Sequence, residues 1–593
     1  MLPRYASRPS PGAIVDNGQT HFSVWAPKAS TVELVLHPES AQRVETLSRN
    51  TEGYFTATLE HAPAGTRYGF RMDDGPLFPD PASRFQPDGV HGSSVVVDPS
   101  FAWSDQSWHG LPLEELVLYE LHIGTFSDAG TYDGVRRKLG YLKDLGVTAI
   151  ELLPVADFPG RWNWGYDHAA LFAPSRAYGT PDDLRRLVDE AHAEGIAVFL
   201  DVIYNHLGPD GAYVAAFAPM FTDRHTTPWG PAINLDDTHS EGVRHFLLDN
   251  ARYWFEEYHI DGFRLDAIQT IYDDSEPHFL AELASLACAV EGHERLLIAE
   301  DDRNLNTVIL PQSAGGYGLD GMWTEDFNHT VRTVTAGTEG GMFEPYQELY
   351  APELAYIINN GWYYDGKKTP DGQPLGTSAD AIELQQCVVY IQNHDQVGNR
   401  PYGERLNHDI PLHLYRAVSA LHLFLPHTPL LFMGQEWAAS SPFQFFTDHH
   451  EELGRKVTAG RRREQKHVAG YDGPGPDPQD PATKRRSHLR WEEASSDRHA
   501  RTLNLYRALL EIRPELAGDV VATPHGTHGL TVSRGATTLY IALKGDLTLP
   551  AKQEGRPILH TEEERFATKP TAPELSGDAI YFHRAAALLM ESV

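Results

Sequence analysis

GFRLDA, residues 262–267, is an apolar run that turns ionic at its end. Three other segments repeat the pattern: IAVFLDVIYNH (196–206), RLLIAED (295–301) and CVVYIQNHD (387–395). Each reads as a buried strand whose last residues are polar. In a parallel barrel such strand ends converge on one face, and active sites are built there. Two carboxylates brought together at that face are the minimal equipment for cleaving a glycosidic bond.

Working outward, four further runs have strand character: Leu116–Phe126, Val147–Val155, Gly321–Phe327 and Leu430–Trp437. Helical patterns alternate with them, among them GVRRKLGYLKDLG, PDDLRRLVDEAHAEG and EGVRHFLLDNARYWFEEYH. Eight strands alternating with helices predict an α/β fold, a (β/α)₈ TIM barrel, closed by the helix Arg501–Leu516. Before the barrel, HFSVWAPKASTVELVL, YFTATLE and TRYGFRMDDG alternate apolar and polar positions between turn signals. That texture predicts an N-terminal β-sandwich of Ig-like type. After it, TVSRGATTLYIALKG and DAIYFHRAAALLM predict a small C-terminal β-sandwich. The expected domains are 1–105, 106–517 (the catalytic barrel) and 518–593, with a Pro/Gly/Asp loop at His467–His488.

Composition narrows the function. The 593 residues carry 82 acidic against 49 basic side chains, a formal charge of -33. That charge argues against nucleic acid or an anionic membrane as partner and favours a neutral ligand. Two cysteines, Cys288 and Cys387, do not make a disulfide framework, and MLPRYASRPSPGAIVDNG has no signal-like apolar stretch. A cytoplasmic protein is expected.

Arg264 and Asp266 are two apart on one strand and leave the same face. Arginine beside aspartate favours the ionised carboxylate a glycosyl nucleophile needs, although such a pair could also only plug a barrel. Glu300 ends the next strand. Neighbouring strands can bring two carboxyls within about 5–5.5 Å, the spacing of a retaining mechanism. A partly desolvated carboxyl near an anion holds its proton to higher pH, as a general acid must. His394 and Asp395 close a strongly polar segment, Gln392–Gln396, whose hydrogen-bonding groups suit sugar hydroxyls. His206 has the same character, while Asp201 and Asn205 could serve to brace the strand ends. Trp162, Trp164 and Tyr166 of RWNWGYDH could stack on a pyranose or simply pack. The Asp/Asn/His cluster has no tight Cys/His spacing behind it, so no metal and no cofactor are expected.

DVIYNH, GFRLDA, IAED and NHD resemble, in order and spacing, the four motif regions of the α-amylase family of glycosidases. WGYD and MGQEW resemble its auxiliary regions. The resemblance implies Asp266 as nucleophile, Glu300 as general acid/base and Asp395 as a stabiliser of the distorted sugar. It implies Arg264, His206 and His394 as subsite residues, with Tyr166 stacking at the cleavage point. Within the family, WTEDFNHTVR (323–332), IQNHDQVGNRPYGERL (391–406) and FMGQEWAASSPFQFFTDH (432–449) are similar to members acting on glucan chains that end in trehalose. The implied substrate is maltooligosyltrehalose and the implied products are trehalose and a maltooligosaccharide, with functional pairing to the enzyme that forms the substrate. Leaving-side candidates are Glu325, Asp326, Gln396 and the Trp437–Phe446 loop. Departures from the pattern are Gln269 and Ile271 for Lys and His, Gln435 for Glu, and Asp301 for Ser. A branching enzyme, which transfers to a sugar hydroxyl instead of water, and a non-catalytic glucan-binding shell are the alternatives.

Overall fold

The computed structural model describes residues 8–338, 340–465, 473, 475–551 and 555–592. Eight parallel strands close into a barrel in chain order: β1 (Leu118–Leu121), β2 (Ala149–Leu152), β3 (Ala197–Val202), β4 (Gly262–Leu265), β5 (Leu296–Ala299), β6 (Gly321–Trp323), β7 (Cys387–Val389) and β8 (Thr428–Phe432). The ring closes because β1 pairs in parallel with both β2 and β8.

Register sorts the side chains into layers. Glu120 pairs with Glu151 across β1 and β2, and Asp201 with Arg264 across β3 and β4. Partners in a parallel pair share a face, and residues two apart do too. Leu118, Ala149, Phe199 and Ile298, each two residues before Glu120, Glu151, Asp201 and Glu300, form an apolar cluster with Trp323, Val388 and Leu430. Positions of the other parity, such as Phe263, Leu265 and Leu297, join the larger core shared with the helices. The barrel therefore has an apolar floor and, one pleat higher, an ionic layer at its C-terminal end.

The predicted runs overshoot where polar residues peel away from the barrel. Leu116–Phe126 is strand only to Leu121, and Ile123–Phe126 is a helical turn. Gly321–Phe327 stops at Trp323, and Glu325–Ala336 is a helix. Cys387–Asp395 stops at Val389; the Asn393 side chain accepts the Gln396 N–H and so caps a helix at His394–Gly398. The last run begins earlier, at Thr428, and Gln435–Trp437 is a 3₁₀ turn. Of the His467–His488 loop, residues 467–472 and 474 lie outside the described residues, and Pro481–Arg486 is a helix capped by Asp480. Residues 1–7 are likewise outside them.

Two sheets precede the barrel. One orders Gly12–Asp16, Gln19–Trp25, Tyr54–Leu59 and Ser48–Arg49; the other orders Arg43–Thr46, Val32–Leu36, Arg67–Met72 and Leu77–Phe78. The first rests on the barrel helix Ser240–Glu257, where Tyr54 Oη meets His245 Nδ1 at 2.7 Å. Gly242 has to be small there, since a Cβ would lie 2.0 Å from the Trp25 ring. After the closing helix Asp497–Ile512 come a five-stranded and a three-stranded antiparallel sheet. DAIYFHRAAALLM is two of their strands, Ala579–Phe582 and Ala586–Ser592. Arg534 ties the larger sheet to the barrel through the Phe424 carbonyl, at 2.9 Å. Cys288 and Cys387 are free thiols, and no described helix is long and apolar enough to cross a membrane.

Candidate active site

The ionic layer is organised by one arginine. Arg264 Nη1 lies 2.8 Å from both oxygens of Asp201 and 2.9 Å from Asp266 Oδ1. Its Nη2 lies 2.7 Å from Glu300 Oε2. The guanidinium is fully buried and sits over the Trp323 ring, 4.4 Å from its centroid. Burial works to discharge it, but Asp201 and Glu300 outweigh that and hold its proton tightly.

Asp266 directly follows β4, and the next residue, Ala267, takes the left-handed conformation at φ 39°. A non-glycine residue there is strained. The turn it makes aims the Ala267 N–H at Glu300 Oε2, 2.7 Å away. Asn205 Nδ2 donates to the Asp266 carbonyl at 2.8 Å and to its Oδ2 at 2.9 Å. Asp266 is thus fixed from β3 and β4 together. Burial pushes the Glu300 carboxyl well above the usual carboxylate range; Arg264 opposes this, and Asp266 and Asp395 reinforce it. Burial likewise lifts Asp201 to about 6 against the pull of Arg264.

On the other side stand His394 and Asp395, in the first turn of their short helix. The His394 ring stacks on Tyr166 with centroids 5.3 Å apart, and its Nε2 is 2.7 Å from Tyr166 Oη. Tyr166 Oη also donates to Asp201 Oδ2 at 2.6 Å, linking the two sides. Asp395 is steadied by Asn399 Nδ2 at 3.1 Å, and 38% of its side chain remains exposed. His206 Nε2 donates to the Tyr166 carbonyl at 3.1 Å, and burial lowers the pKa of the ring. Trp229, in the turn between Phe221–Thr227 and Gly230–Ile233, stacks on His206 at 4.8 Å and is half exposed.

Asp201, Asn205, His206, Arg264, Asp266, Glu300, His394, Asp395 and Tyr166 therefore converge, as the strand-end reading required. Other candidates sit elsewhere. Trp164 is buried, stacks on Phe443 at 5.1 Å and gives its Nε1–H to the Gln444 carbonyl at 3.0 Å, so it is packing and not a platform. Asp326 is buried under four donors: Tyr346 Oη at 2.7 Å, Asn304 Nδ2 at 3.1 Å, and the Tyr363 and Tyr364 N–H groups at 2.7 and 2.9 Å. It ties down the chain between Tyr346 and Tyr364. Gln396 is buried with its Nε2 3.2 Å from His329 Nε2. Trp437, Phe443 and Phe446 of the expected leaving-side loop are fully buried. Glu325 does reach the mouth, with 22% of its side chain exposed. Burial, together with Asp302, Asp395 and Asp326, pushes its carboxyl up to about 8.

The departures have local reasons. Asp301 turns away from the site and pairs with Arg303 Nε and Nη2 at 2.8 and 2.6 Å. Gln435 spans the Phe432 N–H and Tyr506 Oη, each at 3.3 Å. Among possible metal ligands, His225, Asp236 and Asp274 have donor atoms within 4.8 Å of one another. Arg224 is inserted there, 2.9 Å from Asp236 and 3.0 Å from Asp274, and supplies the positive charge itself. The sequence reading missed Trp229, Glu120 and Glu151. An acid inside the apolar runs LVLYELHI and VTAIELLPV was the available signal for the last two.

Comparison with known proteins gives the family. Residues 95–221 match the family described as alpha amylase, catalytic domain, and residues 10–99 match carbohydrate-binding module 48, the isoamylase N-terminal domain. The malto-oligosyltrehalose trehalohydrolase of Deinococcus radiodurans is 44% identical over 546 residues, 91% of this chain and 87% of that one. That of Saccharolobus solfataricus is 39% identical over 543 residues, 90% of this chain and 92% of that one. A crystal structure from Salmonella typhimurium superposes with a TM-score of 0.89 at 34% identity, covering 98% of this chain and 100% of that one.

Proposed function

The chain belongs to the malto-oligosyltrehalose trehalohydrolases of the α-amylase family, and from that membership and the geometry of the ionic layer we propose how it works. It is a glycosidase that cleaves the α-1,4 bond next to the terminal trehalose of maltooligosyltrehalose, releasing trehalose and a maltooligosaccharide. The observation that carries the catalytic reading is the single guanidinium of Arg264, which holds Asp266 through Nη1 and Glu300 through Nη2 side by side, while burial pushes the Glu300 carboxyl well above the usual carboxylate range.

In this reading Glu300 is the general acid. Its Oε2 accepts the Ala267 N–H and lies in ion-pair contact with the Arg264 guanidinium, so Oε1 is the oxygen that carries the proton into the mouth. Asp266, held by Arg264 and Asn205, attacks the anomeric carbon as the C–O bond to trehalose breaks and Glu300 protonates the departing oxygen. A covalent glycosyl-enzyme results. Glu300, now ionised, takes a proton from water, whose oxygen displaces Asp266 and regenerates both carboxyls. Asp395 and His394 bind sugar hydroxyls and stabilise the distorted ring. Tyr166 packs on the sugar at the cleavage point, and Glu325 receives the trehalose side. Such a substrate has to be made by an enzyme that converts the reducing end of a glucan to an α,α-1,1 linkage, so the two work as a pair. We place both in the cytoplasm, which the free thiols suit.

Product analysis tests the substrate. A trehalose-capped maltooligosaccharide should give free trehalose, while maltopentaose is attacked slowly. Equal cleavage of both, or new branch points without trehalose, would overturn the assignment. Glu300→Gln should lower turnover by about 10²–10⁴-fold with folding unchanged; a Gln variant of normal rate would sink the mechanism.

A further inference from the structure

Two buried acids beneath the ionic cluster, Glu120 and Glu151, take no part in the chemistry described so far. They are register partners on β1 and β2, point into the barrel, and are completely buried. Their surroundings differ. Glu120 Oε2 accepts the His394 backbone N–H at 2.8 Å, and Oε1 meets His394 Nδ1. Neither oxygen of Glu151 has a hydrogen-bond partner among the described residues.

Hydrogen-bond accounting fixes the state of His394. Tyr166 Oη spends its proton on Asp201 Oδ2, so at the 2.7 Å contact with His394 it must accept, and Nε2 must carry a hydrogen. Nδ1 faces a carboxylate that accepts a second N–H from the same residue, so Nδ1 must carry a hydrogen too. With both nitrogens donating, the ring is an imidazolium. Two carboxyls side by side in a barrel core cannot both ionise cheaply. The charge belongs on Glu120, which has the donors, and the proton on Glu151. Burial and the Glu120 charge push the Glu151 carboxyl far above its ordinary range in the same sense.

We propose that Glu120 is a positioning residue of this active site: from inside the barrel its carboxylate clamps His394 as an imidazolium, and so keeps a hydrogen on the Nε2 that His394 presents at the mouth between Tyr166 and Asp395, beside the bound sugar. The inference rests on the sugar-binding role proposed for His394. Every element packed around that ring contributes. Glu120 and Glu151 come from β1 and β2, Tyr166 and the Trp164 ring from the loop after β2, Asp201 and Arg264 from β3 and β4, Trp323 from β6 and Asp395 from its own helix. His122, just after β1, also faces it. Burial and Arg264 disfavour the charge; Glu120 and Asp395 outweigh them and hold the ring up to about 9. Without Glu120 the balance reverses.

The test is the pH dependence of kcat on the trehalose-capped chain, run first on the wild type, whose release of trehalose checks the function separately. Glu120→Gln keeps the shape and removes the charge. His394 should then lose its proton below neutrality, so kcat at pH 8 falls about tenfold or more and recovers on acidification with a new inflection, KM changing less. Glu151→Gln, which imitates the neutral acid, should keep the wild-type profile. A wild-type profile for Glu120→Gln, or a shifted one for Glu151→Gln, overturns the proposal. Should Glu120→Gln not fold, histidine-labelled wild-type protein decides by NMR, with the signal identified by its loss in His394→Asn. An imidazolium at pH 7 upholds the clamp, and a neutral ring there overturns it.

Discussion

Across the barrel mouth, the ends of β3, β4 and β5 and the ends of β6 and β7 hold their carboxylates in different ways. On the first side Asp201, Asp266 and Glu300 share Arg264, and their side chains are 1%, 10% and 12% exposed. On the second, Glu325 and Asp395 are 22% and 38% exposed, and among the described residues neither forms an ion pair with an arginine. The first arrangement spends its hydrogen-bonding capacity inside the protein and gains fixed geometry. The second keeps capacity for something from outside. Chemistry at a bond needs the former, and recognition of hydroxyls needs the latter.

Removing the shared cation should give the largest effect on stability. Arg264→Met leaves three buried carboxyls around an apolar side chain, a loss of about 3–5 kcal/mol. It should lower the melting temperature markedly and abolish turnover even where the fold survives. Thermal unfolding and activity measured together check this. An Arg264→Met protein with wild-type stability would mean that the carboxylates on this side are not held by the arginine at all.

Asp326 sharpens the contrast, because it adjoins Glu325 yet belongs to the closed type. Asp326→Ala strands the Tyr363 and Tyr364 N–H groups and the Tyr346 hydroxyl. The expected cost is about 2–4 kcal/mol, read as lower thermal stability and faster proteolysis between Tyr346 and Tyr364. Activity of the folded fraction should persist. Loss of turnover without loss of stability would move Asp326 to the open type.

The same contrast explains what could be read from the sequence. The barrel and the members of the closed cluster were legible because β-strand parity is strict. An apolar run ending in Arg264 and Asp266 can place those residues only at the rim. Where the chain leaves the strands, parity stops informing. Glu325 and Asp326 look equivalent in WTEDF, but a helix starting at Glu325 turns consecutive residues about 100° apart, sending one to the mouth and the other under the Tyr346–Tyr364 segment. Trp164 and Tyr166 diverge in the same way within a loop. Trp229 was invisible because its partner His206 lies 23 residues away across a hairpin that no local pattern announces. Glu120 and Glu151 obey parity, but their strands were read for hydrophobicity alone.

A pH experiment probes the open side more gently. The folded protein holds the Glu325 proton up to about 8 against an ordinary value of 4.5, so between those values it binds more protons than the unfolded chain does. Stability must therefore fall as pH rises through that window. Glu325→Gln removes the titration. Its stability, read from thermal unfolding, should match wild type near pH 4.5 and exceed it at pH 8, by about 1–2 kcal/mol after allowing for solvent at the mouth. Equal pH dependence in the two proteins would show that Glu325 ionises freely, and would count against the trehalose-side role proposed for it as an un-ionised carboxyl.

Trp229 should give the smallest effect, and the most direct reading of what the open side is for. Its ring lies on the solvent side of His206 while 52% of the residue stays exposed. A large indole left in that position buries little within the protein, so truncating it should cost little stability. Its free face is available to the apolar face of a glucose unit, worth about 0.5–1.5 kcal/mol for a stacked ring. Trp229→Ala should therefore raise KM several-fold at nearly constant kcat, with Trp229→Phe restoring most of the loss. Because the closed side fixes the reacting bond without help from Trp229, kcat should be indifferent to the change. A fall in kcat at constant KM would place Trp229 among the groups that orient His206 and Tyr166, and the division between the two sides of the mouth would have to be redrawn around it.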